Sequence, residues 1–374
     1  MTYSTVLIIG AGPAGLAVAG QLRQKGIAFE IIEQGDKPGY SWHHHYDRLH
    51  LHTVKELSNL PFLPFPDHFP RFVPRHLLAD YFVEYARHFN IQPHYGESVT
   101  NVVKQNGKWL TTTSKGNSWE SDHVVVATGV NRSPLEPHFK GQESFKGEWI
   151  HSRNYRNAKP FAGKQVLVIG MGNTGAEIAL DLSENGAKPF ISVRGPVNIV
   201  PREVLGRPTQ LTALMLAKLP YWLGDRLGVV LRKLTVGNLR PYGIETPDMP
   251  PARQLRTTGK TPVIDVGTLK AIKEKRIGIL PVIAQIEGAE VTFTDGRKMP
   301  FDTIILCTGY KPHLEQFIPG VSELLDAQDL PKSVIAPPPF EGLYFVGFDN
   351  YVAGGILGVI RRDSAVAAER IGRL

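Results

Sequence analysis

Cysteine is nearly missing from these 374 residues, with Cys307 the only one. A lone thiol excludes an intrachain disulfide and a CxxC redox pair, so neither a disulfide scaffold nor a dithiol reductase fits; a reducing, cytoplasmic compartment is expected. Long apolar runs are missing too: no stretch reaches the about 18 consecutive apolar residues that a membrane-spanning helix needs. The opening MTYSTVLIIGAG is apolar but lacks a basic flank and a cleavage site, and glycine interrupts it, so it reads as a buried strand. Blocks of like charge are also absent. The net charge is +7, yet 42 Lys and Arg are scattered among 35 Asp and Glu, with no basic run beyond KEKR and RKL. That argues against a nucleic-acid partner and leaves the excess to accommodate anionic small molecules.

What is present is a pair of glycine fingerprints in the right context. The apolar run 5–9 leads into GAGPAG, then a helical stretch 13–25 closed by Gly26, then an apolar run 28–32 ending in Glu33. Further on, the run 166–169 leads into GMGNTG, a helical stretch 176–182 stopped by Asn185-Gly186, and a run 189–193 followed by Arg194. In each, the first glycine permits the tight turn, the second lets a pyrophosphate approach the backbone, and the third lets the helix pack close. Glu33 stands where a carboxylate binds a ribose diol, which suits FAD; Arg194 stands where a guanidinium meets a 2′-phosphate, which suits NADPH. The candidate FAD-holding residues are Gly10, Gly12, Pro13, Ala14, Gly15, Glu33 and Gln34, with Ala127, Thr128 and Gly129 of VVVATG and Leu357 and Gly358 near the end. Those for NADPH are Gly170, Gly172, Asn173, Thr174, Gly175 and Arg194; Thr308 and Gly309 of TIILCTGY mirror the earlier VVVATG.

The expected fold is α/β, with two doubly wound Rossmann-like dinucleotide-binding domains, the NADPH domain inserted into the FAD domain. Residues 1–158 open the FAD domain, 159–298 form the NADPH domain with a helical insertion at about 205–240, and 299–374 complete the FAD domain. The stretch GYSWHHHYDRLHLH holds five histidines but no Cys or Glu-x-x-His pattern, and three consecutive His cannot all point one way, so it reads as a polar cofactor loop with no metal. Residues 60–74 are too proline-rich for helix or central strand and too apolar for a linker, which predicts an ordered loop on the core. A helix is expected over 76–89 and a hairpin around Asp295-Gly296. Around Pro220, the stretches 211–219 and 221–234 read as two amphipathic helices that suit a membrane surface, an active-site cap or a homodimer contact. Cys307, in an apolar run without an obvious base, reads as a small buried hydrophobe.

Between the fingerprints lies F-x-G-x-x-x-H-x-x-x-Y, here Phe145, Gly147, His151 and Tyr155, which resembles the identifying sequence of the flavin-containing monooxygenases. The match is closest to the YUCCA-type indole-3-pyruvate monooxygenases: YDRLHLH, LPFP, ATGVNRSP, VRGPVNIVPREVLG, GKTPVIDVG and GLYFVGF resemble theirs over nearly the whole chain. The resemblance implies that NADPH reduces FAD, that reduced FAD takes up dioxygen as a flavin hydroperoxide, and that a small-molecule substrate is then oxygenated. An α-keto acid such as indole-3-pyruvate would lose its carboxylate to give indole-3-acetate. Amines, thioethers and ketones stay open as substrates, as does an NADPH oxidase or reductase, and outside catalysis a dinucleotide sensor or membrane-recruited regulator. By the same resemblance Ser41, Trp42 and His52 face the flavin ring, with His52, which is Asn in many family members, the candidate catalytic residue. His151 is expected to be a structural joint rather than a proton carrier.

Overall fold

Val6, Leu7, Ile8 and Ile9 are buried in the centre of a sheet, as a continuous apolar run demands of a strand covered on both faces. In this computed structural model, which describes residues 1–373, the strand Thr2–Ile9 runs parallel to Phe29–Glu33 on one side and to Ser118–Val126 on the other. The order across the sheet is His94–Tyr95, Phe29–Glu33, Thr2–Ile9, Ser118–Val126, Lys108–Thr113, Val99–Gln105, and Leu343–Phe345 lies parallel to Val124, Val125 and Val126. Val99–Gln105 and Lys108–Thr113 form an antiparallel hairpin, turned by Asn106 and Gly107 at positive φ, the geometry an Asn-Gly pair favours. These strands belong to a unit made of Met1–His44, Thr53–Ser133 and Tyr310–Leu374. Its core joins Leu7, Ile9, Val124, Val126 and Phe345 to Trp109, Trp119, Leu314 and Phe317.

The proline-rich stretch 60–74 is an ordered loop of this unit. Phe65, Phe69, Phe72 and Val73 are buried, and the helix Arg75–His88 satisfies its carbonyls: Tyr81 Oη donates to Leu63 O at 2.6 Å and Tyr85 Oη to Pro61 O at 3.0 Å. The helices Pro13–Gln24 and Ile356–Ile371 pack on one another.

The second unit comprises His45–His52 and Pro134–Gly309. Its five-stranded sheet is wholly parallel, ordered Gly278–Leu280, Lys188–Ser192, Gln165–Ile169, Thr303–Leu306, Glu148–His151. Two of these strands move the boundaries expected at 158 and 299. Glu148–His151 pairs with Thr303–Leu306, and the latter with Gln165–Ile169, so both belong to the second sheet and the unit runs from Pro134 to Gly309. Sequence order concealed this, because nothing within a short strand says which of the two sheets it joins.

A three-stranded antiparallel sheet, Ile283–Glu287, Glu290–Phe293 and Lys298–Pro300, contains the expected hairpin. The insertion holds the helices Thr209–Leu216 and Tyr221–Val236, divided at Pro220. A further helix, Pro251–Thr258, was not foreseen, although Pro251 at its first turn and Gly259 in the left-handed region after its end are ordinary boundary signals. No helix among the described residues is long and apolar enough to cross a membrane.

Candidate functional site

Two loops of the chain share one backbone geometry. Gly10 and Gly170 both have φ +104, and a Cβ on them would stand 2.8 and 2.6 Å from the carbonyl oxygens of Ala127 and Cys307. Five residues on, a Cβ on Gly15 or Gly175 would fall 1.8 or 2.0 Å from the carbonyl oxygen of Gly10 or Gly170, so each helix closes on its loop only at glycine. Gly12 and Gly172 are the N-caps of Pro13–Gln24 and Asn173–Glu184; no side chain caps either helix, and a Cβ on either glycine would face open space. The first-turn N–H groups and the positive helix end are thus presented where a pyrophosphate can lie.

In the first unit the Glu33 carboxylate is buried and accepts two backbone hydrogen bonds, Oε2 from Ala11 N and Oε1 from Gly35 N, both at 2.7 Å. Each oxygen retains a lone pair, enough for the two hydroxyls of a ribose diol, while a 2′-phosphate beside this fixed carboxylate would be repelled. Gln34 is exposed. Ala127 is buried, Gly129 has φ +76, and between them the buried Thr128 hydroxyl has no hydrogen-bond partner, which a bound polar group would supply. Leu357, buried, and Gly358 lie in the uncapped first turn of Ile356–Ile371. Ser41 and Trp42 sit on the short helix Tyr40–His43; Ser41 is exposed, and Trp42 meets Phe82 edge-on with centroids 6.1 Å apart. Arg75 donates to the His43 carbonyl at 2.9 Å and fixes this turn.

In the second unit Arg194 lies two residues beyond the strand Lys188–Ser192, exposed and without a carboxylate partner among the described residues. Its guanidinium is available for an external anion. Asn173 is engaged in the fold: Oδ1 accepts from Ile264 N at 2.6 Å and Nδ2 donates to Pro262 O at 3.4 Å, which ties the strand Val263–Asp265 to the glycine loop. The Thr308 hydroxyl donates to Leu135 O, and Gly309 follows at φ +91. Cys307 is partly buried and packed against the core, and burial pushes its thiol up to about 12, too high for a nucleophile near neutral pH.

The polar residues missed from the sequence lie where 45–52 meets the helix Asn173–Glu184. His52 Nε2 is 2.8 Å from Glu177 Oε1, an ion-pair distance off the line of a directed hydrogen bond, and His52 Nδ1 is buried without a partner. Tyr46 is buried beside Thr174 and Glu177; burial, then the Glu177 charge, holds its hydroxyl well above the usual phenol range. Arg48 pairs with Glu184 at 2.5 Å and lies 3.9 Å from Asp181, and Asn157 Nδ2 donates to Asp47 at 2.8 Å. The loop therefore belongs to the second unit, while Ser41 and Trp42 belong to the first. Among the described residues no group of three or more His, Cys, Asp or Glu is placed to hold a metal ion.

Comparison with known proteins gives the family. Residues 4–328 match the family model described as flavin-binding monooxygenase-like. The chain belongs to that family. It is 38% identical over 357 residues to a probable indole-3-pyruvate monooxygenase, YUCCA9 of Arabidopsis thaliana, covering 91% of this chain and 83% of that one. It is 37% identical over 359 residues to the indole-3-pyruvate monooxygenase YUCCA1 of Oryza sativa subsp. japonica, covering 94% and 87%. The fold is similar to that of a flavin-containing monooxygenase from Stenotrophomonas maltophilia, with a TM-score of 0.76 at 21% identity over 99% of this chain and 98% of that one. The flavin-binding monooxygenase is thus an oxidoreductase whose cofactors are FAD and NADPH. The residues present fit both: a buried carboxylate and an orphaned hydroxyl in one unit, an exposed guanidinium and an uncapped helix N-terminus in the other.

Proposed function

We propose that this monooxygenase converts an aryl α-keto acid, specifically indole-3-pyruvate, to indole-3-acetate by oxidative decarboxylation. What carries the reading is the likeness to the YUCCA enzymes, which runs through more than nine-tenths of the chain. The balance is one keto acid, one dioxygen, one NADPH and one proton giving the shortened acid, carbon dioxide, NADP⁺ and water. FAD, when held by the Gly10–Gly15 loop and Glu33, would supply the oxygen activation, and NADPH the two reducing electrons.

The chain's own part is positioning. Glu33 takes the FAD ribose, the Gly10–Gly15 loop its pyrophosphate, and the Thr128 hydroxyl a polar atom of the same cofactor. Arg194 takes the NADPH 2′-phosphate over the open turn at Gly172. Ser41 and Trp42, on the short helix of the first unit, face the flavin ring. The test is steady-state turnover of the FAD-loaded enzyme with NADPH and indole-3-pyruvate, following product, peroxide and NADPH together. Stoichiometric indole-3-acetate is expected. Peroxide matching the NADPH consumed, with no acid, would reject the reading in favour of an oxidase, and product only from an amine, thioether or ketone would keep the oxygenase and replace the substrate.

A further inference from the structure

The helix Tyr221–Val236 is packed inside out. Its buried positions are Gly224, Arg232 and Val236, while Leu227, Val230, Leu231 and Leu234 form a stripe at helical spacing that is 39 to 79% exposed. Arg232, the residue expected outside, is held inside by Asn198 Oδ1 and the Pro247 carbonyl, which fixes the rotation of the helix. The neighbouring helix Thr209–Leu216 adds exposed Leu211 and Met215, one turn apart. The two helices touch at Gly224, where a Cβ would be 2.8 Å from the Leu216 carbonyl oxygen. At the first turn Tyr221 and Trp222 are largely exposed, with the Arg256 guanidinium 4.3 Å from one ring and the Arg226 guanidinium 5.6 Å from the other.

Charge selects among occupants for this face. Residues 202–260 carry ten Lys and Arg against Glu203, Asp225, Glu245 and Asp248, so six of the chain's seven net positive charges lie in this stretch. A two-fold pairing of the face with a second copy would set two such fields against each other, whereas an anionic surface would neutralise it. An exposed apolar stripe with aromatic rings at one end and cations around it is the composition of an interfacial helix.

We propose that these two helices dock the enzyme on an anionic phospholipid bilayer, the leucines at the acyl boundary, Tyr221 and Trp222 among the headgroups, and Lys218, Arg226 and Lys233 on lipid phosphates. No helix among the described residues is long and apolar enough to cross the bilayer. The contact is electrostatic and apolar together, so it weakens with salt and fails when either half is removed.

The experiment is co-sedimentation of the FAD-loaded full chain with phosphatidylcholine vesicles, with and without about 30% phosphatidylglycerol, a content that gives a strongly negative surface. At least about a fivefold larger bound fraction is expected on the anionic vesicles, falling on going from about 0.1 M to about 0.5 M salt as the Debye length shrinks. The combined substitution Leu227→Ser, Leu231→Ser, Leu234→Ser and the pair Arg226→Glu, Lys233→Glu should each abolish the difference, and circular dichroism should show both variants folded, since all five side chains are exposed. Equal binding to neutral vesicles, or none to either, overturns the proposal. So does a dimer in light scattering that the serine variant converts to monomer, which would assign the face to a second copy.

Discussion

Tyr155 Oη donates to Asp181 Oδ2 at 2.6 Å, and both residues are buried. The contact gives the F-x-G-x-x-x-H-x-x-x-Y run a structural meaning, because it ties the end of that run to the helix behind the second glycine loop. The other three residues act alike. Phe145 lies edge-on to Trp149 at 6.0 Å, a Cβ on Gly147 would fall 2.4 Å from the Asp302 carbonyl oxygen, and His151 Nδ1 accepts from Arg153 N at 3.1 Å. Tyr155→Phe leaves a buried carboxylate short of a donor and should destabilise the second unit by about 1.5–3 kcal/mol, the worth of a hydrogen bond to a charged group. Urea unfolding of the FAD-loaded enzyme checks it; an unchanged midpoint would mean that Asn185, which also donates to Asp181 at 3.3 Å, suffices.

Arg194 is exposed and has no carboxylate partner among the described residues, so its replacement should leave the fold intact. Arg194→Ala should weaken NADPH by about 1.5–3 kcal/mol, roughly ten- to a hundredfold, through loss of a charge-assisted contact, while NADH is little changed. Dissociation constants for both nucleotides decide it. Equal weakening of the two would place the 2′-phosphate elsewhere.

Both glycine loops, with the helix and strand that follow each, were legible in the sequence because each depends on a short run of backbone whose turn, N-cap and following strand are local. The second sheet was legible around its glycine loop but not beyond it: nothing within Glu148–His151 or Thr303–Leu306 says which sheet it joins, since the two pair with each other about 150 residues apart along the chain. The placement of 45–52 was hidden for the same reason. Tyr46, Arg48 and His52 find their partners more than a hundred residues on, in Glu177, Asp181 and Glu184. One signal was available: those three acids stand at i, i+4 and i+7 of a helix whose 176–182 stretch is otherwise apolar, a stripe that asks for partners.

Burial lowers the pKa of His43, His123 and His151 below the ordinary 6.5. As pH falls through 6.5 the unfolded chain therefore takes up protons that the folded chain refuses, and stability falls from neutral toward acid pH. Asp363, raised by burial from 3.8, works in the opposite sense in a lower window, where its folded form keeps a proton that the unfolded chain has lost. His123 is the residue to change. It meets the Tyr344 ring edge-on at 5.8 Å, its Nδ1 is buried without a partner, and it lies outside the candidate site. His123→Phe keeps the ring contact and removes the titration. Between about pH 7.5 and 5.5 the urea midpoint of the variant should fall less than that of the wild type, a single proton being worth at most about 1.4 kcal/mol per pH unit. Parallel pH profiles would show that His123 is protonated alike in the folded and unfolded chain.

Glu177 is the partner through which the candidate catalytic His52 can be tested. Its carboxylate is buried, lies 2.8 Å from His52 Nε2, and leaves Nδ1 as the ring atom with no partner in the protein. If that nitrogen serves the reaction, the carboxylate acts by holding the ring. Glu177→Gln, nearly the same size, should then keep FAD binding and the rate of NADPH oxidation but lower the yield of indole-3-acetate per NADPH, with peroxide making up the difference. A loss of about tenfold to a hundredfold is expected for misplacing one group at a reacting centre, with His52→Ala at least as severe and the double variant no worse than His52→Ala alone. Additive losses in the double variant would show that Glu177 acts apart from His52, and full coupling in His52→Ala would remove His52 from the chemistry.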